Sequence, residues 1–153
     1  MQAKQYLQEL KRLDTCISHK LQEKQAMYTS TVGAVRTDRE RVRASTGTDA
    51  LPDLIARIED MEQEIDRQLD AYLRLKHRII NQIHGLGNEA HISLLHKRYV
   101  EFKQLEEIAA EMNYTYSYAR ALHGKALAEF ERRFVAEIAN YQSPYTIVHA
   151  DVL

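Results

Sequence analysis

Leu105-Glu-Glu-Ile-Ala-Ala-Glu-Met-Asn-Tyr-Thr-Tyr-Ser-Tyr-Ala-Arg-Ala-Leu-His-Gly-Lys-Ala-Leu127 reads as two helices joined by a tight turn. In the first half, Leu105, Ile108, Ala109 and Met112 recur at the spacing of one helical face. Asn113 follows where a residue able to adopt the left-handed conformation ends a helix, and Tyr114 plugs the turn. Thr115 offers an oxygen as N-cap of a second helix, whose buried face is expected to be Ala119, Leu122 and Ala126. Small Ala109 and Ala119 suit a steep helix crossing, in which the two backbones approach closely. The pattern is compatible with a helix-turn-helix whose second helix enters a DNA major groove.

These residues, Leu105 to Met112 and then Arg120-Ala-Leu-His-Gly-Lys-Ala-Leu127, resemble region 4 of bacterial sigma factors, the domain that reads the promoter −35 element. In layout the chain also resembles prophage-encoded transcriptional regulators of Gram-positive bacteria, of the ArpU type. There a helical N-terminal segment precedes a sigma-region-4-like helix-turn-helix. The sigma-like part covers residues 90–135, with 136–153 as a C-terminal extension. Carried over residue by residue, Tyr116, Ser117, Arg120 and Ala121 match the sigma positions that face DNA. Sigma factors place charged or amide side chains at most of these, whereas here only Arg120 is ionic. The resemblance therefore implies a DNA-reading surface without implying a −35 sequence preference.

Composition sets the outer bounds. A chain of 153 residues has room for one ordinary domain, or a small domain with an extension. Two prolines, five glycines and 28% charged residues favour helices. No apolar run approaches the ~20 residues that span a bilayer, and the N-terminus lacks the apolar core of a signal peptide. The single Cys16 excludes an internal disulfide framework and fits a reducing, cytoplasmic setting, in a bacterium or in the host of a phage. Net charge is −1, so any affinity for nucleic acid must come from a local patch.

From residue 2 to 28, Leu7, Leu10, Leu13, Ile17 and Leu21 mark a narrow helical stripe, extended by Met27 and Tyr28. Cys16 borders it as a small residue at a helix contact. Between 29 and 50 the apolar periodicity stops, and Ser, Thr, Gly33 and Gly47 surround Arg36, Arg39, Arg41 and Arg43. A solvated linker is expected there. A second helix over 51–84 opens with Pro52 in its first turn and Asp49 or Thr48 as cap. Leu51, Ile58, Ile65, Tyr72 and Ile79 are spaced by seven, with Leu54, Met61 and Leu75 at the complementary seam position. Ile55, Leu69 and Ile83 widen the stripe. Residues 1–86 are therefore read as a long helical hairpin or coiled coil that oligomerises. Gln68 and Gln82, at seam positions, either select register or face water. Gly85-Leu-Gly-Asn88 is the expected inter-domain hinge. Beyond it, Ile92, Leu95 and Tyr99 form a short helix behind the helix-turn-helix, and Val135, Ile138 and Tyr141 continue the pattern until Ser143-Pro144.

The expected fold is thus all-α. If the second helix reads DNA, Tyr116, Ser117, Arg120 and Ala121 reach the bases, with Gly124 and Lys125 one turn on. Arg120 is suited to guanine, and Tyr116 and Tyr118 to phosphates and thymine methyls. Lys97, Arg98, Lys103 and Lys125 are expected phosphate contacts. The competing reading is a solvated bundle face. His77, His84, His91 and His96 gather toward the hinge, but without the ligand count or spacing of a zinc site, so neither metal nor cofactor is expected. The acidic run Glu59, Asp60, Glu62, Glu64 and Asp66 is a solvated helix face. No phosphate loop, HExxH or nucleophile motif is present, and a non-enzyme is expected. The expected function is sequence-specific, double-stranded-DNA-binding transcription regulation by a phage- or prophage-derived homodimer. The alternatives are an interaction protein contacting RNA polymerase or an activator, and a DNA-packaging component like a terminase small subunit.

Overall fold

A computed structural model describes residues 1–41 and 50–144, and every regular element among them is helical. In chain order these are α1 (Ala3–Arg41), α2 (Ala50–His84), α3 (Glu89–Leu95), α4 (Leu105–Glu111), α5 (Tyr116–Arg133) and α6 (Val135–Asn140). Between α3 and α4 lies a π-helical segment, His96–Val100. No described helix is long and apolar enough to cross a membrane.

The first helix outruns its apolar stripe. It continues to Arg41 through a stretch expected to be linker from residue 29. Two hydroxyls of that stretch are accommodated within the helix. Thr29 Oγ1 and Ser30 Oγ donate to the carbonyls of Gln25 and Ala26, 2.9 and 3.0 Å away, so both hydroxyls bond back along the helix rather than capping its end. Gly33 costs only about 1 kcal/mol in a helix interior, and no proline lies between it and Arg41. Thr48, Asp49 and Arg43, and the tail 145–153, lie outside the described residues.

Two compact units divide the chain, and the division falls within α1 and α2 rather than at Gly85–Asn88. One unit comprises residues 14–70. Its buried apolar residues are Ile17, Ile58 and Ile65. Lys20 pairs with Glu64, and Lys24 with Glu62 at 3.2 Å, so numbers rise along α1 as they fall along α2. Leu21, Tyr28, Ile55 and Leu69 of the apolar stripes stay exposed, and Cys16 is half-buried.

The other unit comprises residues 1–13 and 71–153 and holds the main core. Tyr6, Leu7, Leu10 and Leu13 pack in one cluster with Leu75, Ile79, Ile83, Leu86, Leu94, Leu95, Ile108, Leu122, Ala126, Phe130 and Ile138. Leu86, in the middle of the expected hinge, is buried, so this turn belongs inside the unit and anchors it. The seam residue Gln82 is buried too, and its Oε1 accepts the Tyr6 hydroxyl at 2.9 Å. A buried polar pair of this kind sets register, because sliding either helix would leave both groups unsatisfied. Burial, foremost, raises the Tyr6 pKa above its ordinary value, so the hydroxyl stays protonated and able to donate.

Asn88 caps α3, its side chain accepting from the amides of Ala90 and His91 at 2.9 and 3.3 Å. Beyond α5, Phe134 leaves helical geometry with φ −121° and ψ 29°, and α6 restarts at once. Ile138 is buried, but Val135 is 62% exposed, so the apolar face expected to run on from α5 turns away at Phe134. Ser143, beyond α6, donates to the buried Glu9 carboxylate at 2.8 Å, and Arg12 reaches the same carboxylate at 3.3 Å. The Ser143 contact returns the chain to the first turns of α1.

Candidate functional site

The turn between α4 and α5 is built by its own residues. Asn113 adopts φ 58°, the left-handed conformation that asparagine tolerates better than other side chains. Tyr114 N–H then donates to the Ala109 carbonyl at 2.8 Å. Thr115, extended at φ −69° and ψ 154°, caps α5 by accepting the Tyr118 amide at 3.1 Å. Ile108 and Ala109 of α4 are buried, as are Ala119, Leu122, Ala126 and Phe130 of α5. Burying that stripe leaves the opposite side of the first turns of α5 in water.

On that side Tyr116, Ser117, Tyr118, Arg120 and Ala121 are all exposed, with Gly124 and Lys125 a turn further. Tyr116 and Tyr118 are 45% and 52% exposed, high for tyrosines that have a core within reach. The Arg120 guanidinium lies 5.8 Å from the Tyr116 ring centroid, one helical turn back, in cation–π geometry. Tyr118 meets Tyr114 edge to face at 4.7 Å. The two aromatic contacts hold the polar ends of the surface in place without a salt bridge.

The three cations expected to hold phosphates from outside α5 each have a partner within the chain. Lys97 and Lys103 both pair with Glu111, at 2.9 and 2.7 Å. Lys103 also lies 3.7 Å from Glu101. Arg98 donates to the Lys103 carbonyl at 2.9 Å and to Gln104 at 3.3 Å. The Lys103 ammonium, then Lys97, holds the Glu111 carboxyl below its usual range, and Glu111 in turn raises Lys103. These cations therefore brace the connection between the π-helical segment and α4. That connection needs bracing, since Phe102 adopts φ 59°, an unfavourable conformation for an aromatic residue. Of the nine side chains expected at the interface, the six on α5 share an exposed surface and these three are engaged internally.

The histidines also find partners rather than a common centre. His84 and His96 rings meet edge to face at 5.8 Å. His91 contacts Glu129, and Asn81 lies 3.2 Å from His77. Among the described residues, no group of three or more His, Cys, Asp or Glu side chains could hold a metal ion. His123 carries no signal in the sequence, yet its Nε2 is 2.8 Å from the Tyr99 hydroxyl, with the two rings stacked at 5.8 Å. Burial, then the fields of Arg98 and Lys4, lowers the His123 pKa to about 4, and burial raises Tyr99 to about 12. With both groups kept uncharged, the imidazole accepts from the protonated phenol.

Unfolded, His123 binds a proton below about 6.5, while folded it does so only below about 4. Its contribution is fully present above the upper value and is lost as pH falls between the two. The urea midpoint should fall across that window in wild type, and His123→Gln should flatten this part of the profile. An equally steep profile in the variant would assign the acid sensitivity elsewhere.

Comparison with family models, curated proteins and solved structures finds no match to this chain.

Proposed function

We propose that the chain is a sequence-specific DNA-binding transcriptional regulator of phage or prophage origin, acting as a homodimer on double-stranded DNA. The observation that carries this reading is the exposed surface Tyr116–Ser117–Arg120–Ala121 at the start of α5, presented by a tight turn whose own residues set it. A long cation beside a tyrosine ring, one turn into a helix, is equipped to read a base edge, whereas Lys125 a turn later is suited to phosphate. The exposed Leu21, Tyr28, Ile55 and Leu69 of residues 14–70 support self-association through that unit.

A second reading is favoured by one specific observation. With Lys97, Arg98 and Lys103 paired internally, the phosphate-facing charge near α5 is small. An α5 surface rich in exposed tyrosine also suits a protein partner, RNA polymerase or a DNA-bound activator.

Gel shifts on DNA from the neighbourhood of the gene, at stated salt, separate the two. Under the first reading, Arg120→Ala loses about 1–3 kcal/mol on the specific site and relaxes preference at one base position. Lys125→Ala weakens all sequences alike and lowers the salt slope by about one unit. Both keep the wild-type melting temperature, because both side chains are exposed. Unchanged affinity in both variants, with the fold intact, would favour the protein-partner reading.

A further inference from the structure

A groove opens between α2 and the joint of α5 with α6. It is open, about 710 Å3 in volume, and lined by Arg74, His77, Arg78, Asn81 and Gln82 of α2, by Gly85, and by Arg133 and Phe134 where α5 gives way to α6. Three guanidiniums and an imidazole line it, with no carboxylate among the lining residues. None of the three arginines forms a salt bridge with a described carboxylate, although Arg78 hydrogen-bonds the Tyr6 hydroxyl. Elsewhere in the same unit cations are neutralised closely, as Lys97 and Lys103 are by Glu111. Like charges gathered around one concavity repel, and an anion seated among them relieves that repulsion.

The arginines enter from two elements, Arg74 and Arg78 one turn apart on α2 and Arg133 from the end of α5. A compact anion in the groove would therefore have cations on two of its walls. Forked guanidiniums match phosphate oxygens in bidentate geometry, and a phosphate monoester carries nearly two negative charges at neutral pH. The rest of the lining is suited to something larger than phosphate. The Phe134 ring and the arginine stems offer flat apolar surface, while Gln82, its oxygen held by Tyr6, and Asn81, beside His77, supply amide N–H donors for a base edge. Gln82 is the buried residue among them, and the Tyr6 hydroxyl holds its oxygen, which fixes the amide's orientation. The volume falls within the range of about 300–1,000 Å3 typical of small-ligand sites.

We propose that this groove binds a nucleoside monophosphate, with its phosphate among Arg74, Arg78 and Arg133 and its base against Phe134, Asn81 and Gln82. The site is separate from the exposed start of α5 and does not depend on the DNA-binding reading.

Calorimetric titration of the full chain tests this with AMP, GMP, CMP and UMP, each against adenosine and inorganic phosphate. At least one nucleotide should saturate at one per chain, more tightly than phosphate, with no binding of adenosine. Arg74→Ala and Arg133→Ala should each weaken that nucleotide about tenfold, as expected for loss of a charge-assisted contact. Arg120→Ala should leave it unchanged. Both groove arginines are exposed and sit on different helices, so a folding defect in one variant leaves the other as the test, with circular dichroism as the check. The proposal is overturned by no saturable binding up to about 1 mM, by equal binding of phosphate and nucleotide, or by nucleotide affinity unaffected in a folded variant. Displacement of the nucleotide by a short DNA duplex, with loss of duplex binding in Arg74→Ala and Arg133→Ala, would also overturn it and make the groove a backbone contact.

Discussion

Phe130→Ala will lower the unfolding free energy by about 3–5 kcal/mol, the range for deleting a buried aromatic side chain. Phe130 is fully buried and sits where three segments meet. Its ring lies 6.1 Å from that of Tyr6 on α1 and 4.9 Å from that of Phe134 at the α5–α6 joint, both tilted. Tyr6 is held in turn by Gln82 and meets Tyr141 edge to face at 5.2 Å. A cavity at Phe130 therefore loosens α1, α5 and the segment after α6 together, and collapse of any one element cannot fill it. Against a total stability of ~5–15 kcal/mol, such a loss removes a large share. Urea unfolding followed by circular dichroism gives the number. A cost below about 1 kcal/mol would mean that this core repacks freely and that the aromatic contacts contribute little.

Ile65→Asp is expected to be at least as severe, by a different mechanism. Ile65 is 6% exposed, on the α2 seam of residues 14–70. The change removes buried apolar surface and places a carboxylate at a buried position, in a unit where Lys20 and Lys24 already pair with Glu64 and Glu62. The neighbouring acids Glu62, Glu64 and Asp66 add repulsion. Several kcal/mol should be lost, with a fall in helical signal at room temperature. Leu69, one turn on, provides the contrast. It is 41% exposed, so Leu69→Lys should leave the folded chain intact. If residues 14–70 carry the proposed homodimer contact, sedimentation should show wild type as a dimer at micromolar concentration and Leu69→Lys as a monomer. A wild type that sediments as a monomer would remove the dimer from the proposed function.

The turn that presents α5 was legible because everything that makes it is local. A left-handed asparagine, a threonine cap and alanine–leucine spacing act within a few residues of one another, and each takes its expected place at Asn113, Thr115, Ala119, Leu122 and Ala126. The end of α1 lies beyond the expected residue 28, although the contacts that accommodate it are also local. Serine and threonine usually favour caps and turns, but Thr29 and Ser30 bond to carbonyls four residues back and let the helix run on. Charge fate, by contrast, lay beyond any local rule. Lys97 and Lys103 resemble free phosphate ligands until the fold brings Glu111, fourteen and eight residues away, against both. Tyr99 and His123 are twenty-four residues apart, and Tyr6 and Gln82 seventy-six. Periodicity and caps determine which residues form a helix and which face it buries. Which cation is neutralised, which histidine is kept neutral and which arginines share a groove are decided only when packing brings distant segments together, because electrostatic energy depends on distance in space rather than along the chain.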